Sequence, residues 1–209
     1  MSSRRRFLAA TSALAASRPV ASATAAAPTA GAYDFAAIDA ALGRQARHRQ
    51  VFAVARVADG VAFALMAHGI DAYAVARGEG RGSLHAAAVF YGRGVILGLA
   101  DTMWRRYRLA EHARRRGDDL TTQTATRNPF ADRIASLQAN GATFFVCDNA
   151  LLDWATYLVT IAGAAADSPE AVHAELRRNL VAGALLVPAG VAALNDAQER
   201  RFTFVQASL

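Results

Sequence analysis

The sequence contains no lysine: all 23 of its basic residues are arginine. A GC-rich coding bias gives the same outcome, so no function follows from that absence. With one cysteine, Cys147, an internal disulfide is excluded. Long apolar runs are missing as well. The nearest candidates, residues 151–166 and 180–194, are interrupted by Asp153 or by Pro188 and Gly190. No stable membrane span is expected from them. The five histidines, His48, His68, His85, His112 and His173, form no i, i+4 pair and have no cysteine partner, so metal ligation is not supported. Without a Gly-x-Ser-x-Gly elbow, a hydrolase triad of that kind has no nucleophile.

What is present fits one domain. The chain has 209 residues, and 52 of them are alanines, which make up nearly half of the 54% apolar fraction. Alanine favours helices and fills little volume, so the core is smaller than that percentage implies. The formal charge of +6 invites a nucleic-acid reading. Four arginines, however, lie in the first 27 residues at Arg4, Arg5, Arg6 and Arg18. The remainder carries nineteen basic residues against seventeen acidic ones. A net +2 body is no footprint for DNA, and nucleic acid is excluded as a partner.

Residues 3–8, Ser-Arg-Arg-Arg-Phe-Leu, resemble the twin-arginine export signal of bacteria. A charge-free stretch from Phe7 to Ser17 has the length of a signal core, and Ala21-Ser22-Ala23 and Ala23-Thr24-Ala25 offer small-x-small cleavage sites. Residues 1–30 are therefore expected to be an export signal and Ala-rich linker, with a mature chain starting near residues 24–28 and one domain over residues 31–209. Such a signal sends a folded protein through the twin-arginine machinery to the periplasm. The alternative is a basic, disordered Ala-rich arm.

From residue 33 onward helix and strand signals alternate. Apolar, β-branched-rich segments at residues 50–57, 85–91, 143–147, 184–187 and 202–205 predict five strands. Between them, helical spacing predicts helices over residues 33–47, 59–76 (capped by Asp59 and running through Gly69, with division at Gly69 as the alternative), 93–108, 148–158, 168–180 and 190–200. Asn128-Pro129 marks a helix start and Asn140-Gly141 its stop. Residues 111–127, with Arg114-Arg115-Arg116, predict a long solvated loop. The pattern predicts an α/β fold: a three-layer sandwich with a mainly parallel five-stranded sheet and helices on both faces. Ligands in such folds sit beyond the carboxyl ends of the strands, here at Tyr91–Gly94, Cys147–Asn149 and Pro188–Gly190.

Cys147 ends a buried strand just before a helix. Backbone N–H groups and the positive end of the helix dipole would favour its thiolate, while Asp148 and deep burial would oppose it. From the residues alone, a reactive thiol and a structural one stay equally open.

Four segments, LADTMWRRY (99–107), Asn128-Pro129-Phe130, LQANGATFFVCDNA (137–150) and LVPAGVAALNDAQERRFTF (186–204), resemble the DsrE/DsrF-like family of sulfur-relay proteins, and an exported branch of it in particular. The resemblance covers about residues 50–206. It implies the same five-stranded sandwich, homo-oligomers, and a persulfide carried on Cys147. The chain departs from the branch at Asp148-Asn149, where paired asparagines are usual, and at Tyr91-Gly92, where His-Gly is common. These readings lead to a periplasmic sulfur carrier or sulfurtransferase with Cys147 as nucleophile and Asn149, Asp148, Arg93, Gly92 and Tyr91 around the donor. The rival is a non-catalytic small-anion-binding or assembly module with a passive cysteine. No cofactor is called for. Gly92-Arg93-Gly94 lacks the spacing of a dinucleotide turn, although a helix start beside Arg93 suits a small anion. Asp101, Trp104 and Tyr107 read as core or subunit contact.

Overall fold

The computed structural model describes residues 33–121, 125–163 and 167–207. The proposed export signal lies outside them. Strands β1 (His48–Val54), β2 (Leu84–Phe90), β3 (Thr143–Cys147), β4 (Leu185–Val187) and β5 (Thr203–Gln206) form a single sheet in the order β4-β3-β2-β1-β5. Every neighbouring pair is parallel. The central strand β2 (LHAAAVF) is buried along its whole length. Its three alanines are poor strand formers in isolation, and cover on both faces overrides that preference.

Alternation divides the strands between two cores. Phe52, Val54, Ala86, Ala88, Phe90, Phe144 and Val146 face one side. There they meet α2 (Val61–Asp71), α5 (Ala131–Ala139), α6 (Asp148–Thr160) and α7 (Pro169–Arg178), together with α3 (Asp101–Arg106) and α4 (Leu109–Arg115). Val51, Ala53, Ala87, Val89, Phe145 and Val187 face the other side, against α1 (Phe35–Gly43) and α8 (Gly190–Glu199). The larger core centres on aromatic rings. Phe90 stacks on Phe144 at 5.4 Å, and Phe63 meets Phe90 edge-on at 5.9 Å, a favoured pair of geometries. The three-layer parallel α/β sandwich is as the periodicity predicts. Among the described residues, no helix is long and apolar enough to cross a membrane.

Four local expectations are corrected. Residues 93–108 are not one helix. A 3-10 segment, Gly92–Gly98, gives way to extended backbone at Leu99 and Ala100 before α3, and Arg108 adopts φ +47° before α4. The cause is how closely this segment lies on the strand ends: a Cβ on Gly94 would sit 2.5 Å from the Val54 carbonyl oxygen and 3.0 Å from Arg56 N. Its polar groups bond outward. Buried Asn128 donates from Nδ2 to the Leu97 and Leu99 carbonyls at 2.8 and 2.9 Å, and the Ala100 N–H donates to the Asn179 carbonyl at 2.9 Å.

The segment expected as a loop from residue 111 instead contains α4, which buries Leu109, Ala110, His112 and Ala113. Within the expected solvated arginine run, Arg116 lies over the rings of Trp154 and Tyr157 at 4.6 and 4.7 Å. Asp59 does not cap α2, whose N-cap is Gly60; its carboxylate accepts from Thr121 N and Oγ1. Asn128 starts a turn rather than α5 itself. Its Oδ1 accepts from Phe130 N at 2.9 Å, and α5 begins at Ala131. The stop at Asn140-Gly141 is as expected, with Gly141 at φ +85°. The helix through Gly69 also continues as expected, ending in a π-turn over Ala72–Ala76.

Candidate functional site

The connectivity singles out one position at the carboxyl edge of the sheet. β3 runs into α6 on the larger face, whereas its neighbour β4 runs into α8 on the opposite face. The two chains leave to opposite faces, the kind of divergence beyond which ligands usually sit in open α/β sheets. Cys147 and its register partner Val187 stand at that divergence.

The cysteine is buried, 5% exposed, and its backbone is the N-cap position of α6. The first residue of α8 also reaches it. A Cβ on Gly190 would lie 3.3 Å from Cys147 Cβ and 2.7 Å from Tyr91 Cβ, so only glycine lets α8 start this close. The N-termini of two helices, one of 13 residues and one of 10, therefore converge beside the thiol, and both dipoles favour negative charge there. The amide after Asp148 is already engaged, because the Asn149 N–H donates to the Pro188 carbonyl at 3.3 Å. That bond stitches the two loops together and takes one expected sulfur-stabilising donor away from the sulfur. Asn149 itself is exposed at the edge.

Asp148 is the buried hub of the cluster. Its Oδ2 accepts from the Tyr33 hydroxyl at 2.6 Å. Its Oδ1 meets His173 Nε2 at 2.8 Å and Arg177 Nε at 3.3 Å. Burial pushes this carboxyl upward, but hydrogen bonds from His173 and Tyr33 and the charges of His173 and Arg177 outweigh it, leaving the group below its ordinary value. Burial, with Asp148 beside it, pushes the Tyr33 phenol up to about 12, so it remains a donor. Arg177 also lies over the Tyr33 ring, 5.6 Å from its centroid. The negative charge next to the thiol is thus compensated within its own cluster.

Of the residues expected round the donor, Tyr91, Cys147 and Asp148 come together here, with Asn149 at the rim. Gly92 and Arg93 serve elsewhere. Gly92 turns at φ +52° against the Ala55 carbonyl. Arg93 Nε lies 3.0 Å from Asp118 Oδ2, an ion pair without hydrogen-bond alignment. Asp118 is fully buried and also meets Arg56 Nε at 3.3 Å. Arg93 is therefore committed to a structural carboxylate, and Arg177 is the arginine within the Asp148 cluster. Sequence reasoning missed Tyr33, His173 and Arg177. The two α7 residues were detectable in principle: four apart, they flank the buried stripe of Val172 and Leu176. Tyr33 carries no such signal. Among the described residues no cluster of three or more His, Cys, Asp or Glu side chains suited to a metal is present. His85, at the head of β2, bonds Thr143 Oγ1 at 3.1 Å at the opposite end of the sheet from Cys147.

No protein-family model matches this chain, and no curated protein matches it. Among solved structures it is similar to a protein of unknown function from Methanobacterium thermoautotrophicum. The identity is 16%, over 76% of this chain and 98% of that one, with a TM-score of 0.45.

Proposed function

We propose that the protein is a periplasmic sulfur carrier of the DsrE-like kind, working as a homo-oligomer and holding a persulfide on Cys147. The observation that supports this reading is the position of Cys147 at the β3/β4 divergence, where the N-termini of α6 and α8 meet. In the proposed step the Cys147 thiolate attacks the sulfane sulfur of a donor such as thiosulfate. A Cys147 S–S bond forms, the donor S–S bond breaks, and sulfite leaves with its electron pair. The persulfide anion gains from the two helix dipoles, while His173 and Arg177 offset the charge of Asp148. Asn149 stands at the rim to orient the donor. Export by the twin-arginine route rests on residues 1–30.

Intact-mass spectrometry of protein exposed to thiosulfate or polysulfide tests this. The expected result is a gain of one or more sulfur atoms, reversed by reductant and absent from Cys147→Ser. Burial of the thiol favours one rival reading, an assembly or binding module with a passive cysteine. No adduct on a thiol shown to be free, together with no alkylation before denaturation, would establish that rival instead.

A further inference from the structure

The amino edge of the sheet carries a cluster of a different kind. Ala46, Arg47, Arg49 and Arg201 line a hollow of about 280 Å³ next to the first residues of β1 and β5. An adjoining hollow of about 410 Å³ shares Arg49 and Arg201 and is also lined by Arg200 and Glu199, whose carboxylate accepts from Asn195 Nδ2 at 2.8 Å. Three arginines and no carboxylate line the first.

Among the described residues Arg49 has no acidic partner, yet it is fixed in place. Its Nη1 donates to the Arg200 carbonyl at 3.0 Å, its Nη2 donates to Gln45 Oε1 at 3.1 Å, and its guanidinium lies over the Phe202 ring at 5.9 Å. Arg47 has one carboxylate contact, Glu79 at 3.9 Å, and a side chain 73% exposed.

Arg201 is the more informative residue. It follows the end of α8 with φ +67°. The Arg201 N–H donates to the Gln198 carbonyl at 2.9 Å and the Phe202 N–H to the Ala197 carbonyl at 3.0 Å. That bonding is a Schellman turn with arginine at the left-handed position that normally takes glycine. The chain thus keeps a cation where the backbone favours having no side chain. Among the described residues, no carboxylate lies within ion-pair distance of Arg201, while its neighbour Arg200 complements the helix end by pairing with Asp39 at 2.6 Å. At this helix end the Asp196, Ala197 and Gln198 carbonyls already have donors. The surplus positive charge is also felt in the interior: His85 is pushed down to about 4 by burial first and then by the charges of Arg44 and Arg49.

We propose that the Arg47–Arg49–Arg201 hollow binds a divalent tetrahedral oxyanion, phosphate or sulfate, through charge-assisted hydrogen bonds from the three guanidinium groups. The site lies at the opposite edge from Cys147 and does not depend on the sulfur-carrier reading.

The test is calorimetric titration of the full chain with inorganic phosphate and with sulfate, against sodium chloride at matched ionic strength. Binding by either oxyanion, absent with chloride, is expected. Arg201→Gly removes the cation and suits the backbone, so the variant should fold at least as well as the parent and bind about tenfold more weakly. Arg47→Gln, at an exposed side chain, should weaken binding in the same direction. Chloride matching the oxyanions, or both variants binding as tightly as the parent, would overturn the proposal.

Discussion

At the carboxyl edge of the sheet each buried carboxylate has basic side chains round it: Asp148 meets His173 and Arg177, and Asp118 meets Arg56 and Arg93. At the amino edge the ratio is inverted. Arg47, Arg49 and Arg201 surround an open hollow that no acid lines. The first arrangement is closed and holds loops in place round Cys147. The second leaves positive charge in solvent, where ion pairs contribute little stability in any case. Charge at one edge should therefore matter for folding, and charge at the other for binding.

The strongest way to break this contrast is Asp148→Ala. It leaves His173, Arg177 and Tyr33 without their shared acceptor, and a loss of about 2–3 kcal/mol is expected, below the value for a fully buried pair because both basic side chains reach solvent. Denaturant unfolding measures it. Arg47→Gln, by contrast, should stay within about 0.5 kcal/mol of the parent. Equal losses from the two substitutions would remove the distinction between the edges.

Next comes the close approach at Gly190. Gly190→Ala places a methyl group 2.7 Å from Tyr91 Cβ and 3.3 Å from Cys147 Cβ, and overpacking of this kind costs about 1–3 kcal/mol. The added Tyr91→Gly change removes that Cβ and should return part of the loss, which a double-mutant cycle would read. Additive losses would mean that Gly190 matters for some reason other than Tyr91.

The pH dependence separates the edges in a third way. His85 has a folded value near 4, below its unfolded one. The unfolded chain therefore binds the proton first, and stability present above about pH 6.5 declines as pH falls toward 4. Asp148 is also depressed, but as a carboxylate. Its contribution is present above about pH 4 and lost only as pH falls below that. Parent, His85→Phe and Asp148→Asn, followed by unfolding from pH 7 to 3, should show the upper part of the acid limb flattened in the first variant and the lower part in the second.

The strands were readable because burial on both faces writes itself as apolar runs: Thr143-Phe144-Phe145-Val146-Cys147 has the same bounds in sequence and structure. Residues 93–108 misled because Val95, Leu99, Met103 and Tyr107 keep helical spacing, yet that spacing says nothing about the Gly94 backbone pressed on Val54. α4 was hidden by the arginines at its end, although Leu109, Ala110 and Ala113 share its buried face. In the site, Cys147 was found from its address between a strand and a helix. Its cluster was not, since Tyr33 meets Asp148 across 115 residues. Local pattern does not report contacts of that range.

The smallest expected effect lies on Tyr33, the link between the segment before α1 and the Asp148 hub. Its phenol titrates near 12 in the folded protein, above the ordinary 10. For an acid whose folded value is raised, the contribution is complete below about pH 10 and is lost as pH climbs through the folded value. Tyr107, which donates to Glu175, is raised to about 12 as well. Ultraviolet titration of the native parent should therefore show Tyr33 and Tyr107 ionising late, and Tyr33→Phe should remove one of these late steps. The same substitution removes the hydrogen bond to Oδ2, a loss of about 1.5 kcal/mol for a charged acceptor, short of Asp148→Ala because His173 and Arg177 keep their contacts with Oδ1. A Tyr33→Phe loss equal to that of Asp148→Ala would mean that the phenol, and not His173 with Arg177, holds this edge closed.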